Sequence, residues 1–233
     1  MKISTSPIDT NIHGADNYAQ KEQVLEPQTG SKFPSCPESL IWKEYKNGSK
    51  EAFVYIYNKY FPVLFSYGHQ LTSNSETIED CIQELFVDLS RRGKKLSDTT
   101  SIKFYLIKCL RNRYLRTLKN NNRIKENEKY FQGYEFHFSL SAEQKIIDAQ
   151  LDNERIQKLN TALLSLTDRQ REAIYYYFYQ NLTIDEISEI MDVSNRRSVQ
   201  NLIYRAISFL RNNIDLSVFL LFFPLIQAEY FTF

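Results

Sequence analysis

The chain has 233 residues, room for one large domain or two small ones, and a formal net charge of +1 that conceals segregated charge. It holds only 6 Gly and 6 Pro, with no proline between Pro62 and Pro224, so it lacks the turn residues of an all-β protein. Its 16 Tyr and 16 Phe supply enough apolar surface to exclude a mainly disordered chain.

Residues 1–37 carry Pro7, Pro27, Pro34 and Pro37 without apolar periodicity and read as a disordered leader. Helical patterning starts at Glu38 and runs to Lys46, where Asn47 and Gly48 stop it. Ser49 suits the N-cap of a second helix bearing Phe53, Ile56, Tyr57 and Tyr60 and reaching about Leu71. Pro62 either kinks that helix or starts a new one. Ser73 followed by Glu76 reads as a capping box opening a third helix to about Ser90, whose stripe is Ile78, Ile82, Leu85, Phe86 and Leu89. A basic loop, Arg91, Arg92, Gly93, Lys94 and Lys95, precedes a long helix over about 101–120.

The segment 121–149, with its Asn run and Gly133, reads as a linker. Capping boxes at Thr167/Gln170 and Thr183/Glu186 then start helices near 168 and 184, and a last helix spans about 195–212 with Val199, Leu202, Ile203, Ala206 and Leu210 inward. The expected fold is all-α: two small helical domains, 38–120 and 150–213, joined by a flexible linker, the second a helix-turn-helix domain. An apolar tail, 214–233, follows. It could pack on the last domain, lie at a membrane surface or mediate self-association.

Three cysteines, Cys36, Cys81 and Cys109, are odd in number and lack C-x-x-C spacing, which fits a reduced, cytoplasmic protein. The apolar run 218–226 falls short of the ~20 residues of a membrane span, so membrane contact is at most indirect. Catalysis finds little support. His13, His69 and His137 are isolated, and no nucleophile elbow, P-loop or dinucleotide loop is present. Neither an enzyme, a cofactor nor a small-molecule substrate is expected.

The charges are more informative. Residues 75–90 hold Glu76, Glu79, Asp80, Glu84 and Asp88 without a cation, and 99–125 hold eight Lys and Arg without an acid. At 100° per residue Tyr105, Lys108, Asn112, Arg116 and Lys119 share one face of the long helix, over an apolar side of Ile107, Leu110, Tyr114 and Leu118. Cations neutralise phosphates and a ring can stack on an unpaired base, so this face suits nucleic acid; a solvated face paired with the acidic helix is the plainer alternative. The outward acids, with Gln83, would meet a basic protein partner or water.

In the last two helices, a short acidic one and a longer basic one separated by a three- or four-residue turn, the pattern is helix-turn-helix. The outward face of the second holds Arg197, Gln200, Asn201, Tyr204 and Ser208, flanked by Arg205 and Arg211. Arg can fork onto guanine and Asn or Gln onto adenine in a major groove.

These residues resemble a known family, the extracytoplasmic-function sigma factors of the sigma-70 family. I-E-D-C-I-Q-E-L-F (78–86) is similar to its acidic region 2 signature, and Y-L-I-K-C-L-R-N (105–112) to the motif of the next helix. L-L-S-L-T-D-R-Q-R-E-A (163–173) and S-V-Q-N-L-I-Y-R-A-I-S-F-L-R (198–211) resemble the opening and recognition helix of region 4. The resemblance implies core RNA polymerase, promoter DNA and an anti-sigma factor as partners. It implies polymerase binding by Glu79, Asp80, Gln83 and Glu84. The −10 element would meet Arg91, Arg92, Lys94, Lys95, Tyr105, Lys108, Asn112, Arg116 and Lys119. The −35 element would meet Arg196, Arg197, Gln200, Asn201, Tyr204, Arg205 and Arg211. Tyr105 stands where the family usually has Trp, and the turn 192–197 is one residue longer than usual. A stand-alone helix-turn-helix regulator is the competing reading; it has no use for the acidic helix.

Overall fold

The computed structural model describes residues 33–124, 136–137 and 153–215. Most of the leader, most of the linker and nearly all of the apolar tail therefore lie outside the described residues. Residues 33–36 form a turn closed by the Cys36 N–H donating to the Phe33 carbonyl at 3.0 Å. From Pro37 onward every regular element among the described residues is a helix.

The first four are α1 (Glu38–Lys46), α2 (Lys50–Leu71), α3 (Ser75–Arg92) and α4 (Ile102–Ile124). Gly48, at φ +97°, takes the left-handed conformation that lets the chain leave α1. Ser49 caps α2 as its spacing predicts, its hydroxyl accepting from the Ala52 N–H at 3.2 Å. Pro62 lies inside α2 and neither ends it nor starts a second helix. The carbonyl it cannot serve belongs to exposed Asn58, which water can reach.

The cap of α3 differs from the expectation: Asn74 takes that place, its side-chain oxygen accepting from the Thr77 N–H at 3.0 Å. The Thr72 hydroxyl accepts from the Asn74 N–H and carries the turn one residue further, beyond Ser73. Ile56, Leu64, Ile78, Ile82, Leu106 and Leu110 form a core among α2, α3 and α4. Helices α2 and α3 approach so closely at Gly68 that an added Cβ would lie 2.3 Å from Ile78 Cγ2.

Glu38, in the first turn of α1, fixes the start of α4. Its carboxylate accepts from the Ile102 N–H at 2.7 Å and also from the Tyr60 hydroxyl. Burial pushes its pKa up, but these hydrogen bonds and the Lys59 charge prevail and hold it below the usual value.

The second module comprises α5 (Asn153–Leu164), α6 (Asp168–Ile174), a π-turn (Tyr175–Tyr179), α7 (Ile184–Ile190) and α8 (Arg196–Asn213). Both expected capping boxes form, Thr167 with Gln170 and Thr183 with Glu186. Arg171 ties the α5–α6 corner together by donating to the Leu164 and Phe136 carbonyls at 2.9 and 3.0 Å. The turn between α7 and α8 occupies 191–195, longer than the three or four residues expected. Asp192 accommodates it at φ 51° and Asn195 closes it, its side chain accepting from the Arg197 N–H at 2.9 Å. Along α8 the buried stripe is Val199, Ile203, Ala206, Ile207 and Leu210. Leu202, expected inside, is half-buried, and Ile207 takes its place in the core.

Candidate polymerase and nucleic-acid interfaces

With Ile78, Ile82, Leu85 and Leu89 turned inward, α3 presents Asp80, Gln83 and Glu84 to solvent, while Glu79 is half-buried. Part of this acidic surface is tied down. Arg113 of α4 meets Glu84 at 2.6 Å and also pairs with Asp88, so the two oppositely charged helices are joined by one guanidinium. Asp80 and Gln83 stand clear of that bridge.

On α4 the expected face divides in two. Arg116 and Lys119 are exposed, as are Arg91, Arg92, Lys94 and Lys95 at the α3 end and in the following 3-10 turn (Gly93–Lys95). Tyr105, Lys108 and Asn112 are half-buried in the wall of an open cleft of about 970 Å³. Burial in this wall raises the Tyr105 and Cys109 pKa values, each group also hydrogen-bonding the other.

Trp42, the single tryptophan, was missed by the sequence reading. Its ring centroid lies 5.0 Å from that of Tyr105, and its indole N–H donates to the Ser97 carbonyl at 2.9 Å. The loop before α4 is also held by Lys46, whose ammonium lies 2.5 Å from the Asp98 carboxylate. The cleft thus offers the half-buried Tyr105 ring, backed by the buried Trp42, with basic and amide groups beside it, a suitable place for an unpaired base. Composition marks Trp42 as unusual, but no short spacing connects it to Tyr105.

On α8 the exposure of the side chains is as the periodicity predicts. Arg196, Arg197, Gln200, Asn201, Tyr204, Arg205 and Arg211 are all exposed on α8. The Arg196 guanidinium reaches back to Asp185 in the first turn of α7 at 2.8 Å, leaving Arg197 as the first basic side chain of the outward face.

The contacts between the two modules are a finding that the sequence did not announce. Arg111 of α4 pairs with Glu172 of α6 at 2.8 Å, with side chains only 8% and 3% exposed. The same carboxylate accepts from the Tyr176 hydroxyl at 2.9 Å, and Tyr176 shares a 2.6 Å hydrogen bond with the hydroxyl of Tyr67 on α2. Lys103 donates to the Gln180 carbonyl, and the Lys108 ammonium lies 2.5 Å from Glu189 of α7. Burial lowers the Lys103 pKa. From the join itself, the His137 N–H donates to the Gln70 carbonyl at 2.7 Å, and the Phe136 N–H to Asp168 at 3.2 Å.

Comparison with known proteins agrees with this layout. The family model of sigma-70 region 2 matches residues 56–124, and that of sigma-70 region 4 matches 156–210. No curated protein matches the chain. Among solved structures, CnrH in complex with the cytosolic domain of CnrY is similar in fold, at TM-score 0.50 and 14% identity, over 83% of this chain and 99% of that one. RpoE in complex with the anti-sigma factor NepR, from Bartonella quintana, gives 0.49 and 19% over 69% and 94%. The two matched regions cover more than half of the sequence between them and stand in the family's order. The chain belongs to the sigma-70 family and carries its regions 2 and 4.

Proposed function

We propose that this sigma factor binds core RNA polymerase through the acidic face of α3, engages the −10 element with α4 and its cleft, and reads the −35 element with α8. Three surfaces of different chemistry on one chain support this reading: carboxylates for a basic protein groove, an aromatic and basic cleft for an unpaired base, and a convex basic helix for a major groove. Sigma factors are not enzymes, so the chain's part is binding and position. Joined contacts reinforce one another, because the first raises the effective concentration of the second. Flipping a base costs a few kcal/mol of unstacking, which stacking on the half-buried Tyr105 ring and phosphate contacts at Arg116 and Lys119 can offset.

The working modules on this reading are 38–120 and 150–213, in the cytoplasm. Among the described residues no helix is long and apolar enough to cross a membrane. An anti-sigma protein is a further proposed partner, one that membership of the sigma-70 family suggests. The stand-alone regulator has less support, since region 2 would have no role in it. Run-off transcription with core polymerase and a promoter library tests the proposal. Transcripts from a defined promoter subset should require the chain; failure to co-purify with polymerase would contradict it.

A further inference from the structure

Resting on that reading of α8, we propose that a notch beside the helix takes the methyl-bearing edge of a thymine in the upstream duplex. Tyr177, which lies outside the helix-turn-helix, is then a specificity-determining residue. The open notch, of about 490 Å³, runs along one flank of α8. Gln200, Asn201 and Tyr204 line it and also belong to the outward face, so it is continuous with the surface offered to a major groove. Its other wall comes from Tyr177 of the π-turn and Ile184 in the first turn of α7. The π-turn is what brings Tyr177 there. In a continuous α-helix Tyr177 would lie one turn beyond the buried Ala173 and share its inward face. The Gln180 N–H instead donates to the Tyr175 carbonyl at 3.1 Å, an i→i+5 bond that widens the turn and shifts the side chains around its axis. Tyr175 and Tyr176 stay buried while Tyr177 emerges half-buried. The Phe178 ring packs against it edge-on, with centroids 4.9 Å apart and planes at 88°.

The lining fits one base edge. In the major groove thymine presents the O4 acceptor and a C5-methyl group, and the methyl sets it apart from the other three bases. The rings of Tyr177 and Tyr204, with Ile184, give that methyl apolar contact, while the side-chain amide of Gln200 or Asn201 can donate to O4. Tyr204 is 58% exposed, so a base edge laid against it removes apolar surface from water. A phosphate suits the notch badly. Arg196, the cation in its lining, already pairs with Asp185 at 2.8 Å, and that carboxylate would repel a second anion.

The test uses the full chain with core polymerase and promoters selected by run-off transcription from a library randomised in the upstream element. The selected promoters should share a thymine at a fixed upstream position; the lack of any shared thymine overturns the proposal. Replacing each shared thymine by uracil in turn removes the methyl and keeps the pairing. At one position this should lower transcription at subsaturating holoenzyme about fourfold, the worth of one buried methyl group. Tyr177→Ala should transcribe the thymine and uracil templates equally, whereas Tyr177→Phe, which retains the ring, should keep the preference. The ratio between two templates does not move with the fraction of folded protein, so a merely structural role for Tyr177 leaves it unchanged. Where Tyr177→Ala is too little folded to transcribe, Ile184→Ala is read by the same criterion. Equal use of both templates by the parent, or an undiminished preference in the variant, overturns the notch while promoter-directed transcription persists. If the parent directs polymerase to no promoter at all, the promoter reading itself fails and the notch falls with it.

Discussion

Along α4, Lys103, Lys108 and Arg111 end on acceptors of the second module, whereas along α8 Arg197, Arg205 and Arg211 end in solvent. Both helices are long and basic, and both rest on an apolar floor. On the proposed reading they differ in the shape of target they meet. A helix that enters a major groove has to be convex and protruding, and little of its own chain can complement it. A site for an unpaired base has to be concave and partly desolvated, and a concave basic site can be filled by the chain's own carboxylates.

The largest effect should come from the acidic face of α3, which serves neither DNA surface. Reversing Asp80 and Glu84 to Lys should weaken polymerase binding by about 100-fold or more, since like charges brought together cost several kcal/mol. Duplex binding by α8 in the same chain should be unchanged, as measured by fluorescence anisotropy. A second break lies in the scaffold beneath α4. Gly68→Ala puts a methyl 2.3 Å from Ile78 Cγ2 and should cost about 1–3 kcal/mol in denaturant unfolding.

The two basic helices should then separate by the kind of specificity they carry. Arg197→Ala and Asn201→Ala should each cost about 1–3 kcal/mol of discrimination between promoter and mismatched duplexes. Lys119→Ala should weaken all sequences alike and lower the salt slope by about one. Equal losses on every duplex for Arg197→Ala would make it a phosphate contact.

The smallest effect is the dependence on alkaline pH. Burial pushes Tyr45 and Tyr175 up to about 12, and raises Tyr60 and Tyr105 as well, with Glu38 adding to the effect on Tyr60. The folded chain therefore holds these protons more tightly than the unfolded one. That stabilisation is complete below pH about 10 and is lost as pH climbs to about 12. Thermal unfolding followed across this window, with tyrosinate absorbance alongside, should show both changes together.

What could be read in advance was local. The capping boxes at Thr167 and Thr183 obey a three-residue rule, and their bonds form as spacing requires. The same rule misplaced the start of α3, because Asn74, one residue beyond Ser73, is an equally good cap and the Thr72 turn favours it. Exposure of the α8 side chains followed from periodicity alone, while the five-residue turn before it depends on the left-handed Asp192. The cleft and the junction were beyond reach. Trp42 meets Tyr105, and Tyr67 meets Tyr176, across long stretches of chain that only tertiary packing closes. The charge count marked Lys108 as a cation of the basic face, yet had no way to show that Glu189 would face it.

The central claim is that one chain brings polymerase to a promoter, grips upstream duplex with α8 and holds an unpaired base beside α4. Footprinting the polymerase–promoter complex with a duplex nuclease and, in parallel, with permanganate tests all of it. Protection of an upstream duplex segment is expected together with reactive, unpaired thymines downstream, the latter lost in Tyr105→Ala. Upstream protection by the chain alone, with no melting on adding polymerase, would contradict it.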